Sequence, residues 1–101
     1  MNALHLTAEL RRSGYIWIEV NGIDRPLNPT AYRLTNADGR PLIIEEVLPN
    51  EAHTALIIPA DPIDIKRIYW LEIPHLHLKA WCSFDGWFRD LYSTKELGAN
   101  I

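Results

Sequence analysis

A single cysteine, Cys82, stands in 101 residues, so no internal disulfide can form and a cysteine-built zinc site lacks its thiolates. That scarcity fits a reducing, cytoplasmic setting, although secreted proteins without disulfides also exist. Long apolar runs are missing as well. Nothing approaches eighteen consecutive apolar residues, and Met1 to Leu10 has no basic region leading into an apolar one, which argues against a membrane span and a secretory signal. The five glycines form no phosphate-cradling loop, so a nucleotide cofactor is not expected. Ten basic residues against thirteen acids are scattered along the chain, which argues against nucleic acid as a partner.

What the chain does have is a 48% hydrophobic composition and four tryptophans, the make-up of one globular domain rather than of a disordered segment. Short alternating stretches separated by turn residues recur about every ten residues, the rhythm of a sandwich or barrel. Leu4, Leu6, Ala8 and Leu10 alternate with polar residues, and Arg12-Ser13-Gly14 turns into a strand at 15–20. Further strands are expected at 30–35, 41–48, 53–58, 66–73 and 75–82. Asn36-Ala37-Asp38-Gly39 reads as a hairpin turn joining 30–35 to 41–48, and Asp61 and Asp64 belong to a proline turn where aspartate bonds local backbone. Pro74 cannot donate to a ladder, so a corner or bulge is expected between the last two strands. Phe84, Trp87, Phe88 and Leu91 change to helical spacing and predict a short helical turn. The expected fold is all-β, an immunoglobulin-like sandwich of about seven strands, with residues 1–94 as the module and 95–101 as a tail leading toward a following domain.

Alternation sorts each strand into an apolar and a polar row, and three tryptophans land on polar rows. Tyr15, Trp17 and Glu19 lie opposite Ile16, Ile18 and Val20; Trp70 and Glu72 lie opposite Tyr69, Leu71 and Ile73; His75, His77, Lys79 and Trp81 lie opposite Leu76, Leu78, Ala80 and Cys82. Indoles beside charged groups build platforms on which sugar rings stack while their hydroxyls bond the neighbours. The competing reading is that these rings are covered by a loop, the predicted helical turn or another domain.

Catalytic constellations are hard to assemble. Ser13, Ser83 and Ser93 stand in no nucleophile elbow, and Cys82 falls on a core row where a thiol is inert. Glu45 and Glu46 alternate to opposite faces of one strand, so they do not converge as an acid and base pair. His75-x-His77 places two imidazoles on one strand face, but nothing directs His5 or His53 to join them, and no metal is expected.

The segment "FDGWFRDLYSTKELGANI", Phe84 to Ile101, resembles the joint in type I pullulanases between an N-terminal β-domain and the immunoglobulin-like module before the catalytic barrel. Phe84, Phe88, Tyr92, Leu97, Gly98 and Ala99 carry the likeness; Glu96 stands where the family usually has a second glycine. "TAYRLTNADGRPL" and Tyr69-Trp70-Leu71 are similar in layout to that family's N-terminal sandwich. The resemblance implies an accessory module of a starch-debranching enzyme of the α-amylase superfamily, whose cleaving acids belong to a barrel outside this chain, so no catalytic residue carries over. It also implies a partner: α-glucan such as pullulan, starch or glycogen, held by Trp17, Trp70, Trp81 and Tyr15 with Glu19, Glu72, His77 and Lys79 supplying hydrogen bonds. The alternative partner is an adjacent domain of the same enzyme packed on the same rings.

Overall fold

The computed structural model describes residues 4–84. Eight strands lie in that span: β1 (His5–Leu10), β2 (Ile16–Asn21), β3 (Arg33–Asn36), β4 (Pro41–Leu42), β5 (Ile44–Pro49), β6 (Thr54–Pro59), β7 (Tyr69–Ile73) and β8 (Leu78–Cys82). They form two antiparallel four-stranded sheets, ordered β1-β2-β6-β5 and β4-β3-β7-β8. With strands lettered along the chain these are the ABED and C′CFG sheets of an immunoglobulin-like sandwich. The expected fold class stands. The helical turn over 84–91 and the tail 95–101 fall outside the described residues, apart from Phe84, which is buried.

The core follows from strand alternation. Leu10, Ile16, Ile18, Val20 and Ile57 from one sheet meet Leu34, Leu71, Ile73 and Cys82 from the other, all essentially without solvent contact. Each such aliphatic side chain contributes roughly 1.5–3 kcal/mol of burial free energy. The two sheets are drawn together at one side by the Leu10 N–H donating to the Ser83 carbonyl at 2.9 Å.

Expectations about four strands are corrected. The stretch 30–35 begins only at Arg33, because Pro29–Ala31 form a 3-10 turn capped by the Asn28 side chain, and the stretch 75–82 begins only at Leu78, after a 3-10 turn over Pro74–Leu76. The stretch 41–48 is not one strand: Leu42 pairs with Leu34 in one sheet, whereas β5 pairs with β6 in the other, and the chain changes sheets at Ile43, which is 73% exposed. Both halves keep an apolar alternation, with Leu42 and Ile44 packed against the core, so pattern alone does not reveal the switch. The stretch 66–73 starts late: Asp64 holds residues 65–67 in a turn, its carboxylate accepting from the Lys66 N–H at 3.0 Å and its carbonyl from the Arg67 N–H at 3.0 Å. The Asn36–Gly39 turn forms as expected, with the Gly39 N–H donating to the Asn36 carbonyl at 2.9 Å and Gly39 at a φ of 86°.

Tyr69 fastens the start of β7. Its ring is buried, while its hydroxyl accepts from the Asp64 N–H at 3.1 Å and lies 3.3 Å from the Asp64 carbonyl, to which it donates. This is the tyrosine corner of immunoglobulin-like sandwiches, a tie from the beginning of strand F to the backbone just upstream. Tyr69→Phe keeps the ring and removes both bonds, so urea denaturation is expected to show a loss of about 1 kcal/mol.

Cys82 occupies the core position its row predicts, and burial pushes its thiol up to about 12, outweighing a backbone hydrogen bond involving Leu71 that acts the other way. At pH 8 the folded thiol is therefore almost wholly protonated, whereas an unfolded cysteine ionises near 8.5 and is about one quarter thiolate. Labelling with a chromogenic disulfide reagent at pH 8 is expected to be at least ~100-fold slower in the folded chain than in denaturant.

Candidate functional site

Strand phase puts all three tryptophans on outer rows, as the alternation requires, but on different sheets. Trp17 belongs to β2 and faces outward from β1-β2-β6-β5, whereas Trp70 and Trp81 face outward from β4-β3-β7-β8. The core lies between them. Tyr15 and Glu19 go with Trp17, and Glu72 and Lys79 go with Trp70 and Trp81, so the eight expected site residues do not share one surface.

On the β4-β3-β7-β8 face, Trp70 and Trp81 stand directly opposite each other, and their ring centroids lie 3.4 Å apart with planes inclined by 31°. The Lys79 Nζ is 4.6 Å from the Trp70 ring centroid. Trp70 is thus a half-buried backing ring, gripped by a second indole and an ammonium, while Trp81 remains 50% exposed and presents its surface to water. One row along, Arg33, Glu72 and Lys79 stand opposite one another across three strands with alternating charge. Ile68, two residues before Trp70 and exposed, extends the apolar row toward a shallow cleft of about 310 Å³ lined by Asn36, Asp38, Lys66 and Arg67.

His77 does not take the place alternation gave it. Pro74 starts a 3-10 turn through Leu76, and His77 ends it at φ 55° and ψ 38°, a left-handed conformation, with its N–H donating to the Pro74 carbonyl at 3.0 Å. His75 is in the turn and His77 is at its end, so the two imidazoles do not line one strand face. The cause is the proline: lacking an N–H and fixed in φ, it turns the chain back on itself instead of making a bend within a continuing strand.

Trp17 has a different setting. The Arg11 guanidinium carbon lies 5.3 Å from its ring centroid, and Arg11 pairs with Glu9 at 3.6 Å. Its register neighbours across the sheet are Glu9 on one side and Leu56, then Leu48, on the other. The outer row Trp17–Leu56–Leu48 is therefore apolar, unlike the charged row beside Trp70. Leu48 and Leu56 were not among the expected site residues, although the unbroken apolar run of β6, Ala55 to Pro59, signals a strand with something against both faces.

Glu45 and Glu46 are both exposed, and the β5–β6 register shifts between Ile44 and Glu46, which leaves Glu45 as an unpaired bulge residue. Among the described residues, no three His, Cys, Asp or Glu side chains are grouped to hold a metal ion, and no helix is long and apolar enough to cross a membrane. The chain matches no protein-family model and no curated protein.

The stacked pair has an optical consequence. Two indoles at 3.4 Å couple their transitions, and Trp81→Ala is expected to abolish the resulting exciton couplet in circular dichroism while lowering stability by about 0.5–1.5 kcal/mol. A couplet that survived in this variant would mean the rings are not stacked in solution.

Proposed function

We propose that this domain is a non-catalytic accessory module of a pullulanase-like debranching enzyme and that it binds α-glucan on the outer face of the β4-β3-β7-β8 sheet. The observation carrying the reading is a large aromatic ring, Trp81, half exposed beside the charged row Arg33–Glu72–Lys79 and stacked on Trp70. A pyranose offers an apolar C–H face to such a ring at little ordering cost, since Trp81 is already immobilised. Glu72 accepts hydroxyl hydrogens and Lys79 donates, both one residue row from the indoles. Trp17, Tyr15 and Glu19, on the other sheet, take no part in this site, and His77 stands beyond its end. The class of parent enzyme rests on the likeness of Phe84 to Ile101 to the pullulanase joint.

Titration of the full chain with maltoheptaose, followed by tryptophan fluorescence, tests this directly. Saturation with a dissociation constant in the millimolar range or tighter is expected, with Trp81→Ala weakening it about tenfold or more and Trp17→Ala leaving it unchanged. No spectral change at roughly 10 mM sugar removes the reading.

A second reading, a module that packs against neighbouring domains, is favoured by a separate observation: the apolar outer row Trp17–Leu56–Leu48 on the opposite sheet. The two readings use different faces and are compatible within one parent protein.

A further inference from the structure

A cleft of about 360 Å³ opens at one end of the β1-β2-β6-β5 sheet, between the β1–β2 turn, the start of β5 and the segment 58–63. That volume is at the small end of the range of about 300–1,000 Å³ for ligand sites. Its walls are fixed by backbone. In the β1–β2 turn the Arg11 N–H donates to the Tyr15 carbonyl at 2.8 Å and the Gly14 N–H to the Arg11 carbonyl at 2.9 Å. Gly14, at φ 89°, brings this turn against the main chain of Ile63, where an added Cβ would sit 4.0 Å from the Ile63 N and O. The opposite wall, Pro59 to Pro62, is bracketed by two prolines and tied down by the Ala60 N–H donating to the Ile43 carbonyl at 2.9 Å. Such a cleft needs little ordering when a ligand arrives.

The lining is mixed in a chemically selective way. Ile58, Pro59 and Ile63 supply apolar surface, and Tyr15, 37% exposed, lines the cleft with them. Glu45 and Asp61 line the cleft, Glu45 being placed there by the β5 bulge that removes it from the ladder. Arg12 also lines it, with its guanidinium carbon 5.1 Å from the Phe84 ring centroid. Two carboxylates against one guanidinium disfavour an anion. A divalent cation lacks a third protein carboxylate, imidazole or thiolate among the described residues. A wholly apolar ligand would strip water from the Glu45 and Asp61 carboxylates without compensation. A neutral polyhydroxylated ring satisfies all of them: its C–H face meets Tyr15 and the isoleucines, and its hydroxyls donate to the carboxylates and accept from Arg12.

We propose that this cleft is a second saccharide site of the domain, holding a short α-glucan segment against Tyr15 through Glu45, Asp61 and Arg12. It takes its ligand class from the function proposed above but shares no residue with the Trp81 face. Because the two sites lie on opposite sheets, one domain carrying both holds two glucan chains at once, a bivalent arrangement that raises retention on a branched polymer beyond either affinity alone.

The test is a maltotriose titration of the ¹⁵N-labelled full chain, with amide shifts reporting the cleft and indole fluorescence reporting the Trp81 face. The amides of Gly14, Tyr15, Asp61 and Ile63 are expected to move, in the wild type and equally in Trp81→Ala. Tyr15→Ala and Asp61→Asn are expected to weaken that response about tenfold without changing the fluorescence titration, and Glu45→Gln to weaken it likewise should Tyr15→Ala disturb the fold. Cleft amides that stay still at roughly 10 mM maltotriose while the indoles respond overturn the second site and leave the first reading standing. The reverse pattern supports the cleft and removes the Trp81 site, and silence at both overturns both.

Discussion

The structure depends on one constraint: Ile16, Ile18 and Val20 on β2 and Leu71 and Ile73 on β7 must face each other with no solvent between them. Strand side chains alternate with a period of two, so slipping β2 by one residue would expose these three and bury Glu19 without an ion partner. Losing several burials worth about 1.5–3 kcal/mol each while desolvating a carboxylate is comparable to the whole stability of a domain this size, roughly 5–15 kcal/mol. The phase of β2 and β7 is therefore not negotiable, and every outward side chain on the two sheets inherits its position from it.

Around that core the chain is held by local devices. Tyr69 ties the start of β7 to Asp64, and at the other end of the sandwich Arg25 donates through Nε to the Thr54 carbonyl at 3.0 Å and through Nη1 to the Ala52 carbonyl at 3.3 Å. The Tyr32 hydroxyl donates to the Pro26 carbonyl at 2.6 Å, and burial, partly offset by the Arg25 charge, pushes its ionisation up to about 12. These ties hold the long 22–28 connection to the sandwich. Rigid loops matter to recognition because a preformed surface spends little of its binding energy on ordering itself. The Trp70–Trp81 stack and the Gly14–Ile63 approach are two further close contacts, one on each sheet.

The two outer faces have different chemistry. Beside Trp70 and Trp81 run Arg33, Glu72 and Lys79, a charged row suited to a hydrated ligand; beside Trp17 run Leu56 and Leu48, suited to a dry one. Trp17 and Trp70 look alike in sequence, each preceded by a tyrosine or isoleucine pair and followed two residues later by glutamate. Their neighbours across the strands separate them, and those neighbours are distant in the chain: Leu56 for one, Thr35 for the other.

The residues by themselves determined the all-β class, the inward rows, the outward placement of Trp17, Trp70 and Trp81, the Asn36–Gly39 turn and the buried Cys82, because each follows from a period of two or from turn chemistry within a few residues. Tertiary structure alone decided which sheet each strand joins, the crossing at Ile43, the bulge at Glu45 and the reversal that takes His75 and His77 off a strand face. Pairing partners are chosen by contacts between segments tens of residues apart, and alternation carries no record of them. The cleft around Tyr15 is of that second kind: the β1–β2 turn, Glu45 and Asp61 meet only once β1, β2, β6 and β5 have paired into one sheet.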